Sequence, residues 1–167
     1  MLELFDSHAH YNDEAFDEDR EELLNKIYES GVTKLMNVSY DMPSSYKTLE
    51  IAEKYPFVYG AVGIHPHDSK DATPEAYDEL IRLSANEKIK AIGETGLDYH
   101  YDNSPRDIQK REFYNHLSLA EELKLPVIIH EREAVKDTLD ILLASSAAGV
   151  YHCFSGSVET ARIALNK

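Results

Sequence analysis

Apolar and polar positions alternate along the 167-residue chain in a repeating rhythm. A short, nearly continuous apolar run is followed by a longer stretch whose apolar residues fall at helical spacing. LELFDSH, at 2–8, predicts the first strand. A helix over 17–30 follows, with Phe16, Arg20, Leu23, Leu24 and Ile27 at helical spacing and Gly31 just past its end. TKLMNVS, at 33–39, predicts the second strand, and Pro43 suits the first turn of a helix reaching Tyr55. FVYGAVGIH, at 57–65, is the third strand, and Thr73-Pro74 caps and opens the next helix. IKAIGE, at 89–94, is the fourth. A long helix begins near Ser104-Pro105 and places Phe113, Leu117, Ala120 and Leu123 on one face. LPVIIHE at 125–131, a helix over 133–145, GVYHCFS at 149–155 and a helix from Val158 complete the pattern.

Six such units predict a parallel sheet covered by helices. An open doubly wound sheet and a closed (β/α)₈ barrel both satisfy the rhythm, and length favours the open sheet, because a barrel usually takes about 250 residues. The strand ends point the other way. His8 and His10 end the first strand, His65 and His67 the third, Glu94 the fourth, His130 the fifth, and His152 lies in the sixth. Active sites of parallel α/β proteins sit at this position. The helices hold one histidine, His116, three residues from Phe113 and beside a packed face, which reads as structural or surface.

Metal–nitrogen bonds are about 2.0–2.1 Å, so ligands must converge on a point. In an open sheet of order 3-2-1-4-5-6, the first and sixth strands lie roughly 14 Å apart. A closed barrel aims every strand end at one centre. The expected fold is therefore α/β of the TIM-barrel (β/α)₈ type, with about six βα units present. His8 and His10 would hold one ion, His130 and His152 another, and Glu94 would bridge them. Nitrogen and oxygen donors without thiolate suit Mg, Mn or Zn. No Gly-x-Gly-x-x-Gly or Walker loop supports nucleotide binding.

Composition narrows the function further. The formal net charge is −14, which argues against a broad electrostatic grip on nucleic acid or anionic lipid. Bound divalent cations would reverse that sign locally. No apolar run reaches transmembrane length, the N-terminus lacks a signal-peptide pattern, and Cys153 is the single cysteine. Cytoplasmic residence is the expectation. Alternation along the sixth strand turns Cys153 away from His152 and into packing.

FDSHAH, GIHPH, IGETGLDYH, HEREA and YHCFSGS, in this order and spacing, resemble the TatD family of metal-dependent deoxyribonucleases, which belongs to the amidohydrolase-like TIM barrels. The resemblance runs from residue 4 to about 160 and implies a single hydrolase domain over 1–167 that cleaves DNA phosphodiester bonds. It implies two divalent ions, with His8 and His10 on the first, Glu94 between them, and His130 and His152 on the second. Glu94 and His65 are then the catalytic candidates, His65 standing near the substrate phosphate rather than on an ion. Arg132, Ser155 and Gly156 are candidate substrate-binding residues, Arg132 having the bland alternative of a solvated strand end.

The Phe154-Ser155-Gly156 loop either offers backbone N–H groups to a phosphate or is a tight strand-to-helix turn. Tyr11, Tyr99 and Tyr101 rim the strand ends as candidate base-stacking residues. His67 and His100 support the site or lie on the surface. The resemblance implies no membrane and no stable protein partner. It also implies two further strands, one bearing an aspartate ligand; no residue here takes that part, since Asp140 falls in a helix. The chain then looks like about two-thirds of the family's barrel. Two alternatives stand beside the nuclease: a catalytically impaired fragment, and a related amidohydrolase acting on a small ester or amide. Glutamate rather than lysine after the fourth strand, together with HCFSGS, argues against the last.

Overall fold

The computed structural model describes residues 3–166. Among these, six strands alternate with six α-helices: β1 (Leu4–Ala9), α1 (Arg20–Glu29), β2 (Val32–Val38), α2 (Met42–Lys54), β3 (Val58–Val62), α3 (Pro74–Ser84), β4 (Ile89–Asp98), α4 (Arg106–Leu123), β5 (Val127–Arg132), α5 (Val135–Leu143), β6 (Gly149–Tyr151) and α6 (Val158–Leu165). Two 3₁₀ turns, Glu14–Phe16 and Pro66–Asp71, follow β1 and β3. No described helix is long and apolar enough to cross a membrane.

Local chemistry explains the starts. Asp41 accepts the Ser44 N–H at 2.8 Å while Ser44 Oγ accepts the Asp41 N–H at 2.9 Å, a reciprocal cap on α2. Thr73 Oγ1 accepts the Ala76 N–H at 3.3 Å and Pro74 opens α3.

The strands pair in chain order, β1 to β6, each parallel to the next. A doubly wound sheet would reverse direction from its first strand, so the open alternative is excluded. The sheet also curls. In a flat sheet β1 and β6 would lie about 24 Å apart, at roughly 4.8 Å per strand. The rings of His8 and His152, at the ends of those two strands, instead stack with centroids 3.4 Å apart.

Curling gives the sheet two different faces. The outer face packs Ile92, Leu97 and Val127 against Leu80, Leu83, Phe113 and Leu117 of the helices. Leu24, Leu35, Ile51 and Val58 form a second outer cluster. The inner face is lined by smaller groups, with Val38, Ala61, Ala91, Ile128 and Met36 in contact. A cavity of about 220 Å³ lies over it, bordered by Met36, Ile128, His8 and His152.

Among the boundaries that differ from the predicted ones, three have clear physical reasons. β4 runs on to Asp98: the strand bulges between Ile92 and Thr95, where Gly93 takes φ of +137°, and then continues in regular pairing through Gly96 (φ +145°). β6 stops at Tyr151. A left-handed Cys153 (φ +46°) then breaks the alternation, leaving this side chain exposed rather than packed. α1 begins at Arg20, the segment before it being taken up by the first 3₁₀ turn.

His116 is wholly buried and structural. Its Nε2 accepts the Ile64 N–H at 3.1 Å, and its Nδ1–H donates to the Glu112 carbonyl at 2.8 Å. Burial lowers its pKa, so the fold keeps it neutral. The unfolded chain binds a proton as pH falls below about 6.5 while the native ring does not, so stability falls with pH, by at most about 1.4 kcal/mol per unit. Comparing urea unfolding at pH 7.5 and 5.5 tests this: His116→Gln is expected to be less stable overall but to show a flatter decline, and an unchanged pH dependence would refute the assignment.

A Cβ on Gly96 would stand 2.0 Å from the His130 carbonyl oxygen, at a φ that side chains rarely adopt. Gly96→Ala is expected to cost at least about 2 kcal/mol in denaturant unfolding. A variant as stable as the parent would contradict the close β4–β5 approach.

Candidate metal centre

β1 brings two histidines to one spot because side chains two residues apart share a face. His8 Nε2 and His10 Nε2 lie 3.1 Å apart. Glu94 Oε2 lies 3.2 Å from the first and 3.7 Å from the second. His10 Nδ1–H donates to the Val38 carbonyl at 2.8 Å, which leaves its Nε2 a lone pair.

The other oxygen of Glu94 faces a second group. Oε1 is 2.9 Å from His130 Nδ1 and 3.9 Å from His65 Nε2, and those two nitrogens are 3.1 Å apart. Four ligands about 2.0–2.2 Å from a tetrahedral ion stand roughly 3.3–3.5 Å from one another. The sides of the two triangles, 2.9–3.9 Å, bracket that spacing, and the donors are nitrogen and oxygen. His8, His10 and Glu94, and His65, Glu94 and His130, are therefore two candidate metal clusters sharing one carboxylate.

Electrostatics set the protonation of these groups. Glu94 is 3 % exposed. Burial alone would raise its pKa, but the close His130, His8 and His65 rings outweigh burial and hold the carboxyl well below the usual range. Burial, helped by neighbouring His130, lowers His65 to about 3, so that ring is neutral. Its Nδ1 accepts the His67 N–H at 3.2 Å, placing the ring hydrogen on Nε2. Burial and the His8 ring lower His152 as well. Burial opposes charge on His130, yet Glu94 and Asp98 outweigh it and raise that pKa.

The curled sheet thus gathers His8, His10, His65, Glu94 and His130. His152 stacks on His8 and stands outside both triangles. Arg132, one pleat beyond Glu131 at the end of β5, lays its guanidinium over Tyr101, 4.9 Å from the ring centre. Tyr101 is 54 % exposed. Tyr99 is committed elsewhere, its hydroxyl donating to Asp137 at 2.7 Å beneath Arg106. Tyr11 leans on Phe16. His100 pairs with Glu133 at 2.8 Å on the surface. Ser155 is exposed, and Gly156 has the Phe154 ring where a side chain would sit, in the turn between β6 and α6.

Asp98 escaped the sequence reading. It is wholly buried, and its Oδ2 lies 3.0 Å from both His130 Nε2 and His67 Nε2. The signal was the apolar Leu97, which carries the strand past Glu94, with Asp98 at an even spacing beyond it.

The family model described as TatD related DNase matches residues 5–167. The chain belongs to this family. An uncharacterized metal-dependent hydrolase of Bacillus subtilis, YabD, is 46 % identical over 162 residues, covering 95 % of this chain and 64 % of the relative. The Salmonella typhimurium 3'-5' ssDNA/RNA exonuclease TatD is 32 % identical over 157 residues, covering 92 % and 60 %. Among solved structures, YJJV, a TatD homolog from Escherichia coli, superposes with a TM-score of 0.90 at 28 % identity, covering 98 % of this chain and 64 % of that one. The chain thus spans about six-tenths of the length of these curated relatives. The likeness to the YJJV structure carries the six-stranded curled sheet as part of a TIM-barrel-type fold.

In this TatD-related chain, Glu94 is the shared element of both clusters. Glu94→Gln is expected to weaken Zn(II) binding at both, by at least about tenfold in titration calorimetry. Loss at one cluster alone would show that the carboxylate is not shared.

Proposed function

We propose that the protein is a metal-dependent hydrolase of DNA phosphodiester bonds that takes two divalent ions (Mg, Mn or Zn), with Glu94 as a ligand common to both. His8 and His10 would hold one and His130, with His152, the other. The carrying observation is the division of Glu94: one oxygen faces the His8–His10 pair and the other faces His130 and His65. Such ions polarise a phosphoryl oxygen, activate water and stabilise a leaving oxygen.

The remaining roles belong to this chain's own groups. His65, neutral with its hydrogen on Nε2, offers no lone pair from that nitrogen to an ion; in a substrate complex that hydrogen would turn from His130 Nδ1 to a phosphate oxygen as charge builds there. Glu94, ionised throughout, keeps the two clusters at fixed separation. Arg132 supplies a fixed positive charge on the open rim of a strongly acidic chain, and the exposed Tyr101 ring beside it offers a face for a base. The Phe154-Ser155-Gly156 turn borders the same end of the sheet. A nucleic-acid substrate is supported by this rim and by the named activity of the Salmonella relative.

The test is a substrate screen on the Mn(II)-loaded full-length protein, with single- and double-stranded DNA beside small lactones, esters and amides. DNA cleavage is expected. Intact DNA together with turnover of a small ester or amide would overturn the reading. Within it, His65→Asn is expected to lower kcat about 100-fold with metal content unchanged, and Arg132→Ala to raise KM about tenfold with kcat nearly intact. Loss of metal in His65→Asn would make that ring a ligand instead.

A further inference from the structure

We propose that Asp98 is a positioning residue: it fixes the tautomer of His130, so that Nδ1 is the nitrogen presented beside Glu94, and it ties His67 to the same carboxylate oxygen. The metal-binding consequence rests on the function proposed above; the tautomer does not.

Asp98 is wholly buried and each of its two oxygens faces two nitrogens, the setting of an acceptor-only carboxylate. An ionised carboxylate only accepts hydrogen bonds. Its Oδ1 accepts the His100 N–H at 3.0 Å and the Tyr101 N–H at 2.9 Å, which shapes the turn after β4. Turn formation needs only that oxygen. Oδ2 is occupied by two rings, each at 3.0 Å, so His130 and His67 must both carry hydrogen on Nε2.

The other side of His130 agrees. The His67 N–H donates to His65 Nδ1, and the His65 Nε2–H lies 3.1 Å from His130 Nδ1. The hydrogen bonds therefore run one way, from the His67 backbone through His65 and His130 into Asp98, and His67 closes the ring through its own Nε2–H. A His130 Nδ1 lone pair then sits 2.9 Å from Glu94 Oε1, so the two atoms together would serve as donors to a cation.

Asp98 is itself held from α4. Gln109, wholly buried, accepts the Asp98 N–H at 2.8 Å and donates to the Asp98 carbonyl at 3.1 Å and the Ser104 carbonyl at 2.8 Å. Both backbone groups of Asp98 are thus pinned by one side chain, and the carboxylate has little freedom to swing away.

Asp98→Asn isolates the proposal. The amide oxygen can keep the turn bonds to His100 and Tyr101, while the NH₂ group faces the rings as a donor and reverses the polarity there. Long-range ¹H–¹⁵N correlation spectra of ¹⁵N-histidine-labelled, metal-free, full-length protein at high pH, where the rings are neutral, read the tautomer directly. The parent is expected to show His130 protonated on Nε2, and Asp98→Asn on Nδ1. Zn(II) titration of the same variant is expected to lose about 10–100-fold in affinity at one site, with the site at His8 and His10 unchanged. A parent His130 protonated on Nδ1 would overturn the proposal without recourse to any variant. An Asp98→Asn protein with unaltered tautomer and affinity would do so too. If the parent binds no Zn(II) while the tautomers behave as stated, the functional reading fails and the role of Asp98 stands.

Discussion

A carboxylate that is 3 % exposed keeps its charge only if its surroundings replace water, and Glu94 does so with histidine rings from three other strands. That constraint shapes the sheet. His8 and His10 come from β1, His65 from the end of β3 and His130 from β5, and only a curled sheet can bring all of them to β4. A second buried carboxylate, Asp98, stands behind His130. Two buried carboxylates converging on His130, with His65 held neutral beside them, make a strongly cation-seeking centre, which is the opposite of what such a site would need to hold an anionic phosphate unaided.

The chain is acidic throughout, with 31 acidic residues against 17 basic ones. Recognition of a polyanion cannot then come from a broad electrostatic field. On the function proposed above, it would be concentrated at the two candidate clusters, where cations would sit, and at Arg132 on the rim beside them. This arrangement favours a substrate that enters the centre by one phosphate over one that is coated along its length.

Much of this was legible in residue order. The apolar rhythm located all six strands and helices, and the recurrence of histidine at strand ends implied a closed rather than an open sheet. Where the reading failed, local backbone was responsible. Gly93 adopts positive φ inside β4, yet the strand bulges there and continues where the glycines read as its end. Asp98 was missed because the strand was expected to stop at Glu94. The left-handed turn at Cys153 defeated alternation after β6. His116 was ambiguous because its role depends on a partner 52 residues away, the Ile64 N–H, a contact that no spacing rule encodes. His65 shows a different limit: its place beside Glu94 was readable, but whether it donates or ligates depends on a single backbone hydrogen bond to its Nδ1.

The most direct test of the shared carboxylate is anomalous diffraction from crystals of the full-length protein soaked in Mn(II). Two peaks are expected, one facing Glu94 Oε2 beside His8 and His10, the other facing Oε1 beside His130. A single peak bound by one oxygen of Glu94, or peaks that avoid Glu94, would contradict the bridged centre.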